Sequence, residues 1–332
     1  MSKNIILTIG VPIYNEEKYI EKTLISLEKI KFDEIEILIS DNNSTDRSKE
    51  IIKEFENRLV NFRFLEHSNN IGASLNMQSI FENASGKYVW LIGGGEVVYS
   101  QKINVLLDIC KNQLYSNIAL NHDSFDEINQ KLTKSKKSKN LVLDGKNNPK
   151  FCYNLQIAGN IVDKKLWLEQ KSNFSPYWHH IEIIFSIFFS ENYNKTINLG
   201  DKYYILNQNV ENAWYSSPNL YKVHFDHLKI IKEKAELKNS KSFRELYLKL
   251  LLAETIDTII YARLNGLKEI ENTLVKELKP LLPNNFYLFI YFPFIYFPIK
   301  FINRWKIRRL YNIPLNVITK FIWFYFRSYA KV

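Results

Sequence analysis

Four carboxylates and a histidine pair stand where this chain can do chemistry. Glu16 and Asp41 each follow a short apolar run, and their oxygens can accept hydrogen bonds from a polar ligand. Gly93-Gly94-Gly95-Glu96 gathers three of the chain's ten glycines beside one acid. That segment offers a carboxylate for a hard cation and bare backbone N–H groups for an anion. Further on, Tyr177-Trp178-His179-His180-Ile181-Glu182 precedes the apolar helical run Ile183 to Phe189, where His180 or Glu182 could take a proton from a hydroxyl. Neither this pair nor His67, His122, His224 and His227 has zinc-ligand spacing.

The elements that must position these groups alternate between two periods. Ile5 to Val11 is a β-branched run ended by Pro12, as a buried parallel strand would be. From Glu17 to Lys29, apolar Ile20, Leu24 and Leu27 return at three- and four-residue spacing, which predicts an amphipathic helix. Ile35 to Ser40 reads as a second strand, Ser44-Thr45-Asp46 offers helix N-caps, and Ser48 to Phe55 carries a second helix. Asn61 to Leu65, Ala73 to Asn83 and Tyr88 to Ile92 continue as strand, helix and strand. This rhythm predicts an α/β fold with a mostly parallel sheet flanked by helices. Ligands in such sheets bind beyond the carboxyl ends of the strands, which is where Glu16, Asp41 and the glycine run fall.

A chain of 332 residues with 46% hydrophobic and 24% charged residues is globular and large enough to shape a deep cleft. Its formal charge of +10 favours anionic partners. No GxGxxG follows the first strand and no Walker A lysine loop occurs, which argues against a dinucleotide enzyme or a P-loop NTPase. Cys110 and Cys152 form no metal-binding or CxxC spacing, as expected of buried thiols in a reducing compartment. The N-terminus lacks the pattern of a signal peptide, so a cytoplasmic location is expected. The basic, turn-rich stretch from Lys131 to Lys150 reads as a mobile loop, either a solvated surface loop or one that closes on an acceptor or a phosphate.

Four strand-end segments carry a family resemblance: Val11-Pro12-Ile13-Tyr14-Asn15-Glu16-Glu17-Lys18-Tyr19-Ile20, Ser40-Asp41-Asn42-Asn43-Ser44-Thr45-Asp46, Asn70-Ile71-Gly72-Ala73-Ser74-Leu75-Asn76 and Ser85-Gly86-Lys87-Tyr88-Val89-Trp90-Leu91-Ile92. In order and spacing the chain resembles glycosyltransferase family 2, and within it the abequosyltransferase-like branch. The resemblance implies a GT-A fold, a nucleotide-diphosphate sugar donor, and a Mg²⁺ or Mn²⁺ cofactor. It implies a donor pocket lined by Pro12, Tyr14, Glu16, Asp41, Asn43, Asn70, Gly72, Gly94 and Gly95. Pro12 and Tyr14 would flank the base, with Glu16 and Asp41 accepting from base or ribose. The general base, in this family an acid at the start of a downstream helix, maps onto His180 or Glu182. Asn160, in a small-residue segment, either faces the acceptor or marks a turn.

One segment departs from the family pattern. Where an Asp-x-Asp or Asp-Asp motif is common, this chain has Gly93-Gly94-Gly95-Glu96, so Glu96 alone is left as the metal ligand. Either Glu96 suffices, helped by a nest of glycine N–H groups, or the chain only binds a nucleotide sugar or a partner transferase. A nucleotidyltransferase sharing the fold is a third reading.

The expected organisation is a GT-A domain over 1–212, with a nucleotide half to about 100 and an acceptor half beyond it, then a helical region over 213–332. The last part is aromatic and basic. Phe286 to Ile299 is apolar but short and holds Pro293 and Pro298, so a full membrane span is not expected. Lys300, Arg304, Lys306, Arg308 and Arg309 interleave with aromatic residues such as Trp305 and Tyr311, which suits an anionic membrane surface. The expected partners are a nucleotide-sugar donor, a glycan or lipid-linked acceptor and the cytoplasmic face of the inner membrane. No nucleic-acid motif is present.

Overall fold

The structure, a computed structural model, describes residues 4–127, 129–144, 156–170, 179–190 and 192–208. Expectations for the region 213–332, the tail, Cys152, His224 and His227 lie outside these residues. In chain order the elements are β1 (Leu7–Ile13), α1 (Ile20–Glu28), β2 (Ile35–Asp41), α2 (Ser48–Phe55), β3 (Phe62–Glu66), α3 (Ala73–Asn83), β4 (Tyr88–Leu91) and β5 (Val97–Val98). Then follow α4 (Ile103–Asn112), β6 (Asn117–Asp126), β7 (Lys131–Thr133), β8 (Leu141–Asp144), β9 (Asn160–Asp163), α5 (Lys164–Leu168), α6 (His179–Phe189) and β10 (Lys195–Gln208).

One sheet runs β3-β2-β1-β4-β9-β6-β10-β5, with β7 against β6 and β8 against β10. The expectation of a mostly parallel sheet holds for β3-β2-β1-β4. Beyond β4 the sheet is mixed, because β9 runs antiparallel to both neighbours while β6 and β10 pair parallel.

Alternation along β1 explains the layering. Leu7, Ile9, Val11 and Ile13 join one buried cluster with Leu24 of α1, Ile52 of α2 and Leu106 of α4. Gly10 faces the other layer: a Cβ there would stand 2.4 Å from a methyl of Ile80 on α3, so α3 packs this closely only because position 10 lacks a side chain. On that side Phe81 of α3 stacks face to face on Trp167 of α5 with ring centroids 3.7 Å apart, a contact favoured by apolar burial and dispersion and not by the ring quadrupoles.

Local chemistry moved several boundaries. Pro12 lies inside β1 instead of ending it, and β1 pairs with β2 as far as Ile13 and Asp41. β4 pairs with β1 only up to Gly10, so the N–H that proline lacks falls past the last bond on that side. Helix α1 starts at Ile20, three residues after the expected start. The residue preceding α2 is Arg47, without a side-chain cap, whereas Asp46 accepts the Ser48 N–H at 3.0 Å.

The stretch expected to be a mobile loop from Lys131 is strapped down over its described part. β7 pairs with β6, β8 pairs with β10, and the segment between is tied by Ser135 N–H to Asp123 and Ser138 N–H to the Gly200 carbonyl, at 2.8 and 3.0 Å. Backbone donors that find partners do not leave a loop free.

Candidate functional site

The turns after β1 and β2 form one braced rim. Asn15 and Asn43 both adopt the left-handed conformation, with φ of 56° and 64°, which asparagine tolerates better than most residues. That geometry turns the Asn15 N–H to the Ser44 hydroxyl and its side-chain oxygen to the Thr45 N–H, both at 2.9 Å. The Glu16 N–H reaches the Ser48 hydroxyl at 2.8 Å, and the Glu17 N–H reaches Asp46 at 2.9 Å. Four backbone or side-chain ties across two loops fix where Pro12, Tyr14 and Glu16 stand.

Asp41 underlies this rim. It is fully buried, its carboxylate accepts the Ser44 N–H and hydroxyl, and Lys49 lies 3.4 Å away. Its oxygens are engaged within the protein, so its part here is to hold the turn that carries Asn43. Tyr14, by contrast, is 46% exposed and presents a ring at the end of β1, with half-buried Pro12 two residues before it.

The third rim comes from the segment before α3. Asn70 accepts from the Asn42 amide and from the Gly72 N–H at 2.9 Å each, while the Ile71 N–H donates to Asn42 at 2.8 Å. Gly72 has φ of 87° and open space where a Cβ would go; backbone conformation, not crowding, requires glycine there. Beneath, Ser40 donates to Asn76 at 2.6 Å and contacts His67 at 3.2 Å. Asn42, Asn76 and His67, which lie in or beside the strand-end segments without a role of their own in the sequence pattern, are thus supports.

The glycine run turns at the end of β4. None of Gly93, Gly94 and Gly95 has a positive φ, and the Gly93 N–H is already donated to the Glu96 carboxylate at 2.7 Å. The expected anion nest is therefore not formed in its left-handed version, and one of its donors is taken. The glycines make room instead. A Cβ at Gly94 would lie 2.9 Å from Glu16 Cγ, and one at Gly95 would lie 3.1 Å from the Asn207 amide nitrogen.

Glu16 and Glu96 both border this turn, against Gly94 and Gly93. Burial pushes the Glu16 carboxyl up to about 7, aided by Asp46 and opposed by Lys22. Burial also pushes Glu96 up to about 7, the Gly93 N–H pulls it down, and Glu16 raises it further. A buried acid whose proton affinity is raised by a second acid is a place where a proton or a shared cation relieves the repulsion. Mg²⁺ is commonly held by one or two carboxylates together with substrate phosphates. The donor set of Glu16 and Glu96 fits that arrangement. No group of three or more acidic, histidine or cysteine ligands occurs among the described residues.

On the other side of β4, His180 and Glu182 lie in the first turn of α6 and are 5% exposed each. His180 lines a small cavity with Asn160, Trp167 and Leu91, and Leu91 is two residues before Gly93. The structure thus brings together His180 and Asn160, which the sequence had singled out separately. Asn160 also accepts from the Asn117 amide at 3.2 Å. Neighbouring His179 sits edge-on to Trp167 at 5.6 Å, and burial lowers it to about 4, so it is neutral at physiological pH.

A family model described as "Glycosyl transferase family 2" matches residues 8–163, a span holding every rim just described. Residues 8–163 are a glycosyltransferase family 2 domain. The abequosyltransferase RfbV of Salmonella typhimurium is 33% identical over 106 residues, which are 30% of this chain and 31% of that protein. A GalNAc(5)-diNAcBac-PP-undecaprenol beta-1,3-glucosyltransferase of Campylobacter jejuni is 22% identical over 72% of this chain and 78% of its own length. Among solved structures, S. aureus TarS 1-349 in complex with UDP superposes with a TM-score of 0.61 at 18% identity, covering 83% of this chain and 80% of TarS 1-349. The fold is GT-A. The matched part of the abequosyltransferase is about a third of its length, so what that protein transfers is not carried over with the domain.

Proposed function

We propose that the chain is an inverting glycosyltransferase that moves a sugar from a nucleotide-diphosphate donor to a glycan or lipid-linked acceptor during cell-surface polysaccharide synthesis. The observation that carries this reading is the gathering of the β1, β2 and β4 ends into one rim, with Glu16 against Gly94 and Glu96 against Gly93 of the same turn. The Campylobacter relative, named for a lipid-diphosphate acceptor, supports an acceptor of that class. The UDP bound to TarS supports a nucleotide donor.

In this mechanism Tyr14 and Pro12 flank the base, and Asn43, Asn70 and Gly72 line the ribose and phosphate side. Asp41 positions the turn that bears Asn43. Glu16 and Glu96 are the residues that would hold Mg²⁺ or Mn²⁺, which when bound supplies the positive charge a departing diphosphate requires. His180 or Glu182 takes the proton from the acceptor hydroxyl as its oxygen bonds to the anomeric carbon and the carbon–oxygen bond to the diphosphate breaks. The nucleoside diphosphate leaves and the sugar's anomeric configuration inverts. In this reading the protein acts on a lipid-linked acceptor from a peripheral position at the cytoplasmic face of the inner membrane. Among the described residues no helix is long and apolar enough to cross it.

A second reading, a protein that binds the donor without turning it over, is favoured by one observation: Glu96 spends one oxygen on the Gly93 N–H. Nucleotide release from UDP-, GDP- and CDP-sugars in the presence of a lipid-diphosphate glycan acceptor, with and without Mn²⁺, separates the two. Acceptor-dependent release supports the transferase; saturable binding without release supports the second reading; neither binding nor release sinks both.

A further inference from the structure

One edge of α1 is polar although it is buried. Tyr19, Thr23 and Ser26 stand four and three residues apart, so they share one side of the helix. Thr23 is fully buried and Ser26 is 4% exposed, beside the apolar stripe of Ile20, Leu24 and Leu27 that enters the core. A buried hydroxyl costs stability unless it is bonded, and in a helix it commonly bonds back to its own backbone. Ser26 does so, donating to the Thr23 carbonyl at 2.7 Å. The Thr23 hydroxyl instead leaves the helix and donates to the backbone carbonyl of Glu96 at 2.7 Å.

This polar edge runs along the turn after β4. Gly95 packs on Tyr19, where a Cβ on the glycine would stand 3.3 Å from Tyr19 Cβ. Glu96 is tied to Thr23, and the Val98 N–H donates to the Ser26 hydroxyl at 3.1 Å. Positions 19, 23 and 26 of the helix side thus follow positions 95, 96 and 98 of the turn. Glu96 makes two further bonds inside the turn: its N–H donates to the Gly93 carbonyl at 3.2 Å, and its carboxylate accepts the Gly93 N–H at 2.7 Å. Those two close the turn on itself, while the bond from Thr23 relates it to another element.

The same helix holds the other acid. The Glu16 carbonyl accepts the N–H groups of Tyr19 and Ile20, at 2.9 Å each, where α1 begins. One short helix is therefore bonded to Glu16 at its start and to Glu96 from Thr23, and its regular backbone fixes the placement of one attachment relative to the other. We propose that Thr23, seconded by Ser26, is a positioning residue: through α1 it sets the spacing of the Glu16 and Glu96 carboxyls, and thereby how tightly the pair captures a divalent cation beside a nucleotide diphosphate. The inference rests on the donor-site reading above. Residues that hold metal-binding side chains from behind commonly tune affinity by about 10–100-fold without touching the ion.

The test is nucleotide-dependent Mn²⁺ uptake by the full chain, read by electron paramagnetic resonance with UDP, GDP and CDP, in the parent and in variants. Thr23→Val keeps the shape and loses the donor, Thr23→Ser keeps the donor, and Ser26→Ala removes the acceptor of the Val98 N–H. Thr8→Val is the control: Thr8 is equally buried, donates to Glu36 at 2.7 Å and accepts the Gly86 N–H at 2.9 Å, at the opposite end of β1 from Glu16. Urea midpoints report the stability of each variant. The expected result is Mn²⁺ affinity about tenfold or more lower in Thr23→Val, lowered less in Ser26→Ala, and retained in Thr23→Ser. Thr8→Val should keep the parent's affinity while losing at least as much urea resistance as Thr23→Val. Uptake by Thr23→Val equal to the parent's overturns the inference and leaves the donor site standing. A loss in Thr8→Val matching that in Thr23→Val overturns it too, because Thr23 then acts through stability alone. Should Thr23→Val not fold, parental uptake by Ser26→Ala overturns it. No uptake by the parent with any nucleotide overturns the donor-site reading and this inference together.

Discussion

The side chain of Glu16 lies across Gly94, so close that a Cβ at position 94 would stand 2.9 Å from Glu16 Cγ. The acid that the turn lacks is thus brought to it from the loop after β1, and the glycine is what lets it in. Gly94→Asp alone should displace Glu16 and destabilise the domain by about 1–3 kcal/mol, as overpacking does. Combined with Glu16→Ala, the same substitution should cost less than the sum of the two. Urea denaturation of both single variants and the double gives the coupling; additive losses would mean that the two side chains do not compete for one space.

Glu96 and His179 should give opposite pH slopes. Glu96 is raised from 4.5 to about 7, so the folded state binds its proton more tightly than the unfolded chain does, and stability is lost as pH rises through 7. His179 is lowered from 6.5 to about 4, so its contribution is lost as pH falls through that range. Each effect amounts to about 3 kcal/mol, and Glu16, raised likewise to about 7, slopes in the same direction as Glu96. A Glu16→Gln/Glu96→Gln variant should therefore leave a domain whose stability rises with pH from 4 to 6.5, and His179→Met one whose stability falls from pH 4.5 to 7. Denaturant midpoints across that range read both; parallel slopes in the two variants would contradict the assignment.

How much of this was legible beforehand depends on which physical signal was at work. β-branched runs and helical periods reveal β1 to β4 and α1 to α3, because burial on both faces leaves a strong pattern. The second half is harder to read, since β9, β7 and β8 are short and their antiparallel pairing depends on distant partners. Asp41 was legible as a site residue but not as a buried support, a role set by Ser44 and Lys49 closing over it. The nearness of Glu16 to Gly94, and of His180 to Asn160, joins positions far apart in sequence, and no local pattern encodes either.

The braced rim predicts a split between stability and affinity. Asp41→Asn keeps the shape but weakens the charged bonds from Ser44 and Lys49, and should cost about 2–3 kcal/mol. Asn15→Gly keeps the left-handed backbone but loses the oxygen that accepts the Thr45 N–H, at a cost of about 1 kcal/mol. Both should weaken nucleotide binding at temperatures where the domain is still folded. Calorimetric titration with UDP and GDP checks this; unchanged affinity in both variants would remove the two loops from the donor site.

Gly200 predicts the fate of the strap from Lys131 to Val142. Gly200→Val places atoms where the Ser138 carbonyl now lies, 2.0 Å from a bare Cβ, so the strap must lift from β10. Trypsin should then cut at Lys134, Lys136, Lys137 or Lys139 at least about tenfold faster than in the parent, because cleavage needs a locally opened backbone. An unchanged cleavage rate would show that Gly200 does not hold the strap.

The most direct test of the donor site is an electron paramagnetic resonance titration of free Mn²⁺ with the full chain and UDP, GDP or CDP. The predicted result is Mn²⁺ uptake that appears with one of the nucleotides and weakens about tenfold or more in both Glu16→Gln and Glu96→Gln. Failure of every nucleotide to bind, or Mn²⁺ uptake that both substitutions leave unchanged, would contradict the account.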